Sequence, residues 1–420
     1  MPTVAEVAQT YHSLSRREIT LPELFPLKKW LPTKYFLNFR FHWNAIWHHR
    51  LALEIACQIK EGDSHLSDQM KEGNDWTNYS DQLEEYHKEY SKIYSTMPLC
   101  SNKSVSHYIG QCALDALLNK VNEKNIITLD ESFHRLVKDG AFTEGSHYSM
   151  YVTACFDRVS NLFGEWYSTH MNPILRRSYD HIFHNLRKVK KWQNRITDSD
   201  GVMAVIGDGW YEKATAVGED GIFYYEDMTV IRKDGWMLVK NHRQNPFSLH
   251  QHPHGDEILI AHQNDWLIQG SGMPSYKHVM AKPWRWRRPR NHFFSETIWD
   301  WFVLWRHRVG WSFDKVNNRA VEIEGNELNV WESGHKVIRW PGERKNIINE
   351  STFPAGPASS LKWSYGKFTF EVEEGVNVRT LRGDHAYRST TYGNYQKIPV
   401  IRISGKNIKT KISVNENNSN

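Results

Sequence analysis

The stretch HQHPHGDE at 250–257 sets His250, His252, His254 and Asp256 at every second position. In an extended segment side chains alternate between faces, so all four would project from one side. Three chemistries fit such a face. Two of its imidazoles could supply half of a tetrahedral zinc site, with His262, His278 and His292 downstream as further ligands. One imidazole could carry a proton near neutral pH. The stretch could also be an ordinary polar strand, because a chain with 22 histidines brings some together by chance. A second chemical stretch is WRWRRPR at 284–290, where Trp284 and Trp286 stand among Arg285, Arg287, Arg288 and Arg290, and Pro289 favours a loop. Guanidinium groups grip carboxylates or sulfates in bidentate fashion while indoles stack on sugar rings. A nucleic-acid patch has the same composition, yet no nucleic-acid fold signature accompanies it. A solvated basic loop is the third reading of these residues.

These residues need elements to position them, and the chain divides in two. The first half reads as helices. In 172–194, Ile174, Leu175, Tyr179, Ile182, Phe183, Leu186 and Val189 recur at three- and four-residue spacing, which lines one helix face. Pro173 sits at the start, where a missing amide proton costs little. The segments 107–121 and 147–163 share the period, and 60–82 is polar enough to be a loop. After about residue 195 the pattern turns to short β-branched runs bounded by Gly and Asp: GIFYYED, MTVIRKDGWMLVKN, DEILIAHQNDWLIQGSG, RAVEIEGNELNVWES, HKVIRW, LKWSYGKFTFEVEEG, VNVRTL, KIPVIRISG and NIKTKISV. Turns such as KDG and EGN favour antiparallel hairpins. Helices first and strands second predict an α+β chain with segregated elements. The expected divisions are a helical domain at 1–195, an antiparallel sheet domain at 196–414 and a frayed tail at 415–420.

Length and composition exclude several classes. A chain of 420 residues exceeds the size at which single cores stop growing, so two domains are expected. With 40% hydrophobic and 24% charged residues it has globular composition, and no run reaches the roughly 18 apolar residues of a membrane span. The start MPTVAEVAQTYHSLSRREITLPELF lacks the basic and apolar regions of a secretory signal, so a cytoplasmic chain is expected, or a periplasmic one if the chain is a processed form. Cys57, Cys100, Cys112 and Cys155 show no CxxC spacing and read as buried thiols. A charge of +5 with 18 Trp, 19 Tyr and 18 Phe suits an anionic ligand with flat faces, although aromatic residues also build cores.

The motif KDGAFTEGSHYSMYVTACFDRVSNLF at 138–163 resembles the DG…EG..Y..Y signature of the heparinase II/III-like polysaccharide lyases. VIGDGW at 205–210, HPHGD at 252–256 and GMPSY at 272–276 are similar to further motifs of that family and follow in the same order. The resemblance implies an incomplete α/α toroid followed by an antiparallel β-sandwich. It also implies β-elimination from a uronate-containing polysaccharide in an interdomain cleft: the proton beside the uronate carboxylate is removed and the neighbouring sugar oxygen leaves.

The roles follow residue by residue from that resemblance. Tyr148 matches the family's tyrosine and would be general acid to the leaving oxygen, and base too when geometry allows. A free phenol has a pKa of about 10, so as a base it needs positive charge or donors nearby, for which His147 and the arginines of 284–290 are candidates. His252 matches the histidine that takes the proton from the opposite face for one uronate epimer. Charge growing on the uronate carboxylate must meet donors already in place. The family uses an Asn-His pair there; in SVSHYIGQ this chain has His107 but Ser106 in the asparagine position, with Asn102 as a substitute. Tyr151 is the fallback tyrosine or a packing residue, and Glu144 orients Tyr148 or caps the helix. His254 and His292 match zinc ligands, but the intervening strand offers Gln269 and Gly270 where an aspartate is expected, with Asp265 four residues early, so a metal-free cluster competes with structural zinc. Two functions result: a lyase acting on an anionic uronate glycan, favoured by Tyr148, His252 and His107, or a non-catalytic glycan-binding or assembly protein, favoured by Ser106 and the missing aspartate.

Overall fold

The computed structural model describes residues 102–117, 122–169, 172–207, 209, 211–214, 216–241, 258–270, 319–347, 361–372, 385–391 and 394–415. These residues form two compact units, Met1–Val137 with Tyr151–Arg187, and Lys138–Met150 with Lys188–Asn420. Helices and antiparallel sheets are both present, as an α+β chain requires. Among the described residues no helix is long and apolar enough to cross a membrane.

The first unit contains α1 (Asn102–Leu117), α2 (Glu123–Leu136) and most of α3 (Ser146–Thr169) and α4 (Pro173–Arg195). In α2 the buried residues Ile126, Leu129, Phe133 and Leu136 fall at three- and four-residue spacing. Phe133 meets Phe156 of α3 at 5.0 Å between ring centroids, and Phe156 meets Phe183 of α4 at 6.4 Å. Helix α4 starts as its sequence predicts. Asn172 Oδ1 accepts from Leu175 N at 2.9 Å, and Pro173 fills the first helical position, where no amide is needed. Leu175, Ile182, Leu186 and Val189 are buried, but Ile174 is 50% exposed. One residue is a rotation of about 100°, so Ile174 falls off the stripe that Leu175 begins.

In the second unit, which takes all but Val137 of it, the short hairpin β1 (Val137–Lys138) and β2 (Ala141–Phe142) turns at Asp139-Gly140, with φ of 52° and 98°. Positive φ at both central residues is the demand that Asp-Gly meets. Five strands follow as an antiparallel meander: β3 (Gly221–Tyr225), β4 (Met228–Lys233), β5 (Trp236–Asn241), β6 (Ile258–His262) and β7 (Asp265–Ile268). The second sheet contains β8 (Arg319–Glu324), β9 (Glu327–Pro341), β10 (Leu361–Tyr365), β11 (Phe368–Val372) and β13 (Asn394–Val414), in the order β10-β11-β13-β9-β8, with β12 (His385–Thr391) on β13. Trp236 joins the sheets: its indole donates to Gly325 O at 2.9 Å and its ring lies 6.2 Å from Phe368. Lys367 pairs with Asp265 at 2.6 Å beside it.

The two longest strands differ from the shorter runs read in the sequence. NVWES and HKVIRW are one strand, β9, and KIPVIRISG and NIKTKISV are one strand, β13. The breaks read at SGH and SGK face each other. Register runs Gly405↔Lys336 and then Asn407↔Ser333, so β9 carries an extra residue at a bulge and the ladder continues.

Candidate active site

The site starts where α3 starts. Gly145 N donates to Phe142 O at 3.2 Å and its carbonyl accepts from Ser149 N at 3.1 Å, which makes Gly145 the N-cap. Its φ is +97°, and a Cβ there would lie 2.0 Å from Ile206 O. Only glycine permits that approach. Ser146 then binds Ile206 in both directions: its amide donates to Ile206 O and its hydroxyl accepts from Ile206 N, each at 3.1 Å. Further into the helix, Ser149 Oγ donates to Ser146 O at 2.6 Å and accepts from Gln193 Nε2 at 3.0 Å.

The segment that receives α3 is itself pinned on several sides. Met203, Ala204, Val205 and Ile206 are all buried. Ala204 N donates to Ile196 O at 2.7 Å, and Met203 N to Glu212 O at 2.9 Å. Gln269 Oε1 accepts from Val205 N at 2.7 Å, while its amide donates to Met203 O at 3.2 Å. A Cβ on Gly270 would lie 1.8 Å from Val205 O, so glycine is required there too. Upstream, Asp198 gathers the turn by accepting from Asp200 N, Val202 N and Trp266 Nε1 at 3.0, 2.8 and 2.7 Å. Burial pushes its carboxyl above the usual range, against the opposing pull of those donors.

On this platform sit His147 and Tyr148. Tyr148 is 4% exposed, and its ring stands edge-on to His147 with centroids 5.0 Å apart. His147 Nδ1 lies 2.5 Å from Glu212 Oε1, with both side chains half-buried. Glu144 is buried immediately before the cap, and Tyr151 is half-buried three residues after Tyr148. His147, Tyr148 and Glu144 thus share one short segment of the second unit, whereas His107, Ser106 and Tyr151 belong to the first. His107 is buried in α1. Ser106 Oγ donates to Asn102 O at 2.8 Å, the backward bond a helical serine makes to its own backbone. That hydroxyl proton is already used. His250, His252, His254, Asp256, the turn at 272–276, His278, Trp284, Arg285, Arg287, Arg288, His292, the run VNVRTL, the loop at 60–82 and residues 416–420 lie outside the described residues.

The two histidines of the zinc reading, His254 and His292, lie outside the described residues, and the described stretch between them carries Gln269 and Asp265. Gln269 is a neutral amide with both ends engaged by backbone, and Asp265 is paired with Lys367. Among the described residues no group of three His, Cys, Asp or Glu side chains suited to a metal occurs. Glu212 is the site residue that sequence reading missed. It follows the VIGDGW motif without a motif of its own, and 65 positions separate it from His147.

No protein-family model matches this sequence, and no curated protein matches it. Solved structures do. A heparinase III gene product is similar over 91% of this chain and 69% of its own, with a TM-score of 0.60 and 12% identity. Its lysine-methylated form gives a TM-score of 0.61 at the same coverage and identity. The fold is heparinase-like. At this identity the likeness concerns the backbone path and assigns no side chain a role.

Proposed function

We propose that this chain is a polysaccharide lyase that cleaves a uronate-containing anionic glycan by β-elimination, on a fold that combines helical hairpins of a partial toroid with a β-sandwich. The observation that carries the reading is Tyr148, held at the start of α3 by the Gly145 cap and the Ser146–Ile206 pair on a heparinase-like fold. A phenol that must deliver a proton to one sugar oxygen needs such a fixed base, since misplacement by an ångström costs orders of magnitude in rate.

In the proposed reaction the carbon beside the uronate carboxylate loses its proton to Tyr148, or to His252 for the other epimer. The C–H electron pair becomes the new carbon–carbon double bond. The bond from the adjacent carbon to the bridging oxygen breaks, and that oxygen takes a proton from the Tyr148 hydroxyl. No water is consumed and nothing is oxidised. His107 would neutralise the carboxylate as charge grows on it, and Trp284, Arg285, Arg287 and Arg288 would hold neighbouring anionic sugars. A structural zinc at His254 and His292 would take no part in these proton transfers; elemental analysis of the purified protein tests for it. Incubation with a panel of uronate polymers tests the function, because each cleavage leaves an unsaturated sugar that absorbs in the ultraviolet.

A second reading has its own support. The Ser106 hydroxyl is bonded to its own helix, where the family's asparagine would offer a donor. A chain weakened in carboxylate neutralisation fits a glycan-binding or assembly protein. Such a protein would retard the polymers in gel mobility without generating absorbance.

A further inference from the structure

The contact between His147 and Glu212 stands on geometry alone, and its catalytic consequence rests on the lyase reading. Nδ1 and Oε1 are 2.5 Å apart. A carboxylate accepts and does not donate, so the ring nitrogen facing it carries the hydrogen. In the neutral ring Nε2 then holds the lone pair, the opposite of the tautomer a free imidazole prefers. Turning the ring over would set a carbon against the carboxylate, so the plane is fixed along with the tautomer.

Glu212 is equipped for this. Its backbone carbonyl is held by Met203 N at 2.9 Å, within the segment that also binds Ser146 at the start of α3. One buried chain segment therefore locates both the helix carrying His147 and the carboxylate facing it. Among the described residues the second oxygen, Oε2, is buried with no hydrogen-bond partner, so Oε1 makes the one side-chain hydrogen bond of this carboxylate there. Gly209 closes the other side: a Cβ there would stand 3.3 Å from His147 Cβ, which leaves the imidazole stem little room. We infer that Glu212 is a positioning residue that fixes the tautomer and plane of His147 beside Tyr148.

The test is nitrogen-15 NMR of the histidine-labelled full chain, with the His147 signals assigned by their loss in His147→Gln, alongside turnover on the uronate panel. The expected result is hydrogen on Nδ1 in the parent protein, a switch to Nε2 in Glu212→Ala, and a turnover number at least tenfold lower. Glu212→Asp, which restores a carboxylate one methylene shorter, should recover part of both effects. Glu212→Gln keeps the shape and an acceptor oxygen, so it reports on the tautomer even if the alanine variant misfolds. Hydrogen on Nε2 in the parent chain, or an Nδ1 signal unmoved by Glu212→Ala, overturns the inference. Turnover unchanged in a folded Glu212→Ala variant overturns its catalytic part and leaves the lyase reading standing. If the parent makes no unsaturated product from any polymer, the lyase reading falls and the NMR result decides the role of Glu212 by itself.

Discussion

Two histidine–tyrosine neighbours, His107–Tyr108 on α1 and His147–Tyr148 on α3, have the same local geometry. Ring centroids are 5.0 Å apart in both, with interplanar angles of 72° and 73°. That equality is what adjacent residues on a helix produce, so the ring contact carries no function in itself. Their surroundings separate them. In α1 the imidazole is buried and the phenol half-exposed; in α3 the phenol is buried and the half-exposed imidazole faces a carboxylate 65 positions away. Burial pushes the Tyr108 phenol above its ordinary value, with the Cys112 thiol adding to it. What a sequence pair does is decided by what the tertiary fold brings to it.

Breaking the α3 side of that comparison should have the largest effect. Gly145→Ala places a methyl group against Ile206 O at a backbone angle that alanine resists, and should cost about 3 kcal/mol or more, read in chemical denaturation. Gln269→Leu strips Val205 N of its acceptor within the same platform. Leaving that buried amide unsatisfied should cost about 1–3 kcal/mol by the same measurement. Tyr108→Phe sharpens the comparison from the α1 side: with ring packing kept, turnover on any cleaved polymer should stay within about twofold, since the lost hydroxyl has no proposed part in proton transfer. Ser106→Ala should do least. Among the described residues its hydroxyl bonds only the preceding turn of its own helix, so stability should move by about 0.5 kcal/mol or less.

Local signals in the sequence located much of the fold. The three- and four-residue apolar spacing of α4, its Asn172-Pro173 start and the Asp-Gly turns are encoded within a few residues of where they act, and the structure places them there. Helix α1 begins at Asn102, five residues before its apolar period suggests, because a polar first turn can be helical without showing that period. Strands β9 and β13 looked like pairs of runs because Gly334 and Gly405 resemble turns, whereas a bulge absorbs the irregularity. The short hairpin before α3 escaped notice because two-residue strands have no alternation to read. At the site, the motif around Tyr148 was legible, but Glu212, Gln269 and the demand for glycine at 145 and 270 arise from approaches between distant segments. No local pattern announces them.

The central claim is that the Tyr148 hydroxyl moves the proton in an elimination reaction. The most direct measurement is ultraviolet absorbance from a uronate polymer that the parent chain cleaves, repeated with Tyr148→Phe after its fold is verified by circular dichroism. Removing a general acid should lower the rate by about 10²–10⁴ while the variant still binds the polymer. Undiminished turnover by a folded Tyr148→Phe chain would contradict the account.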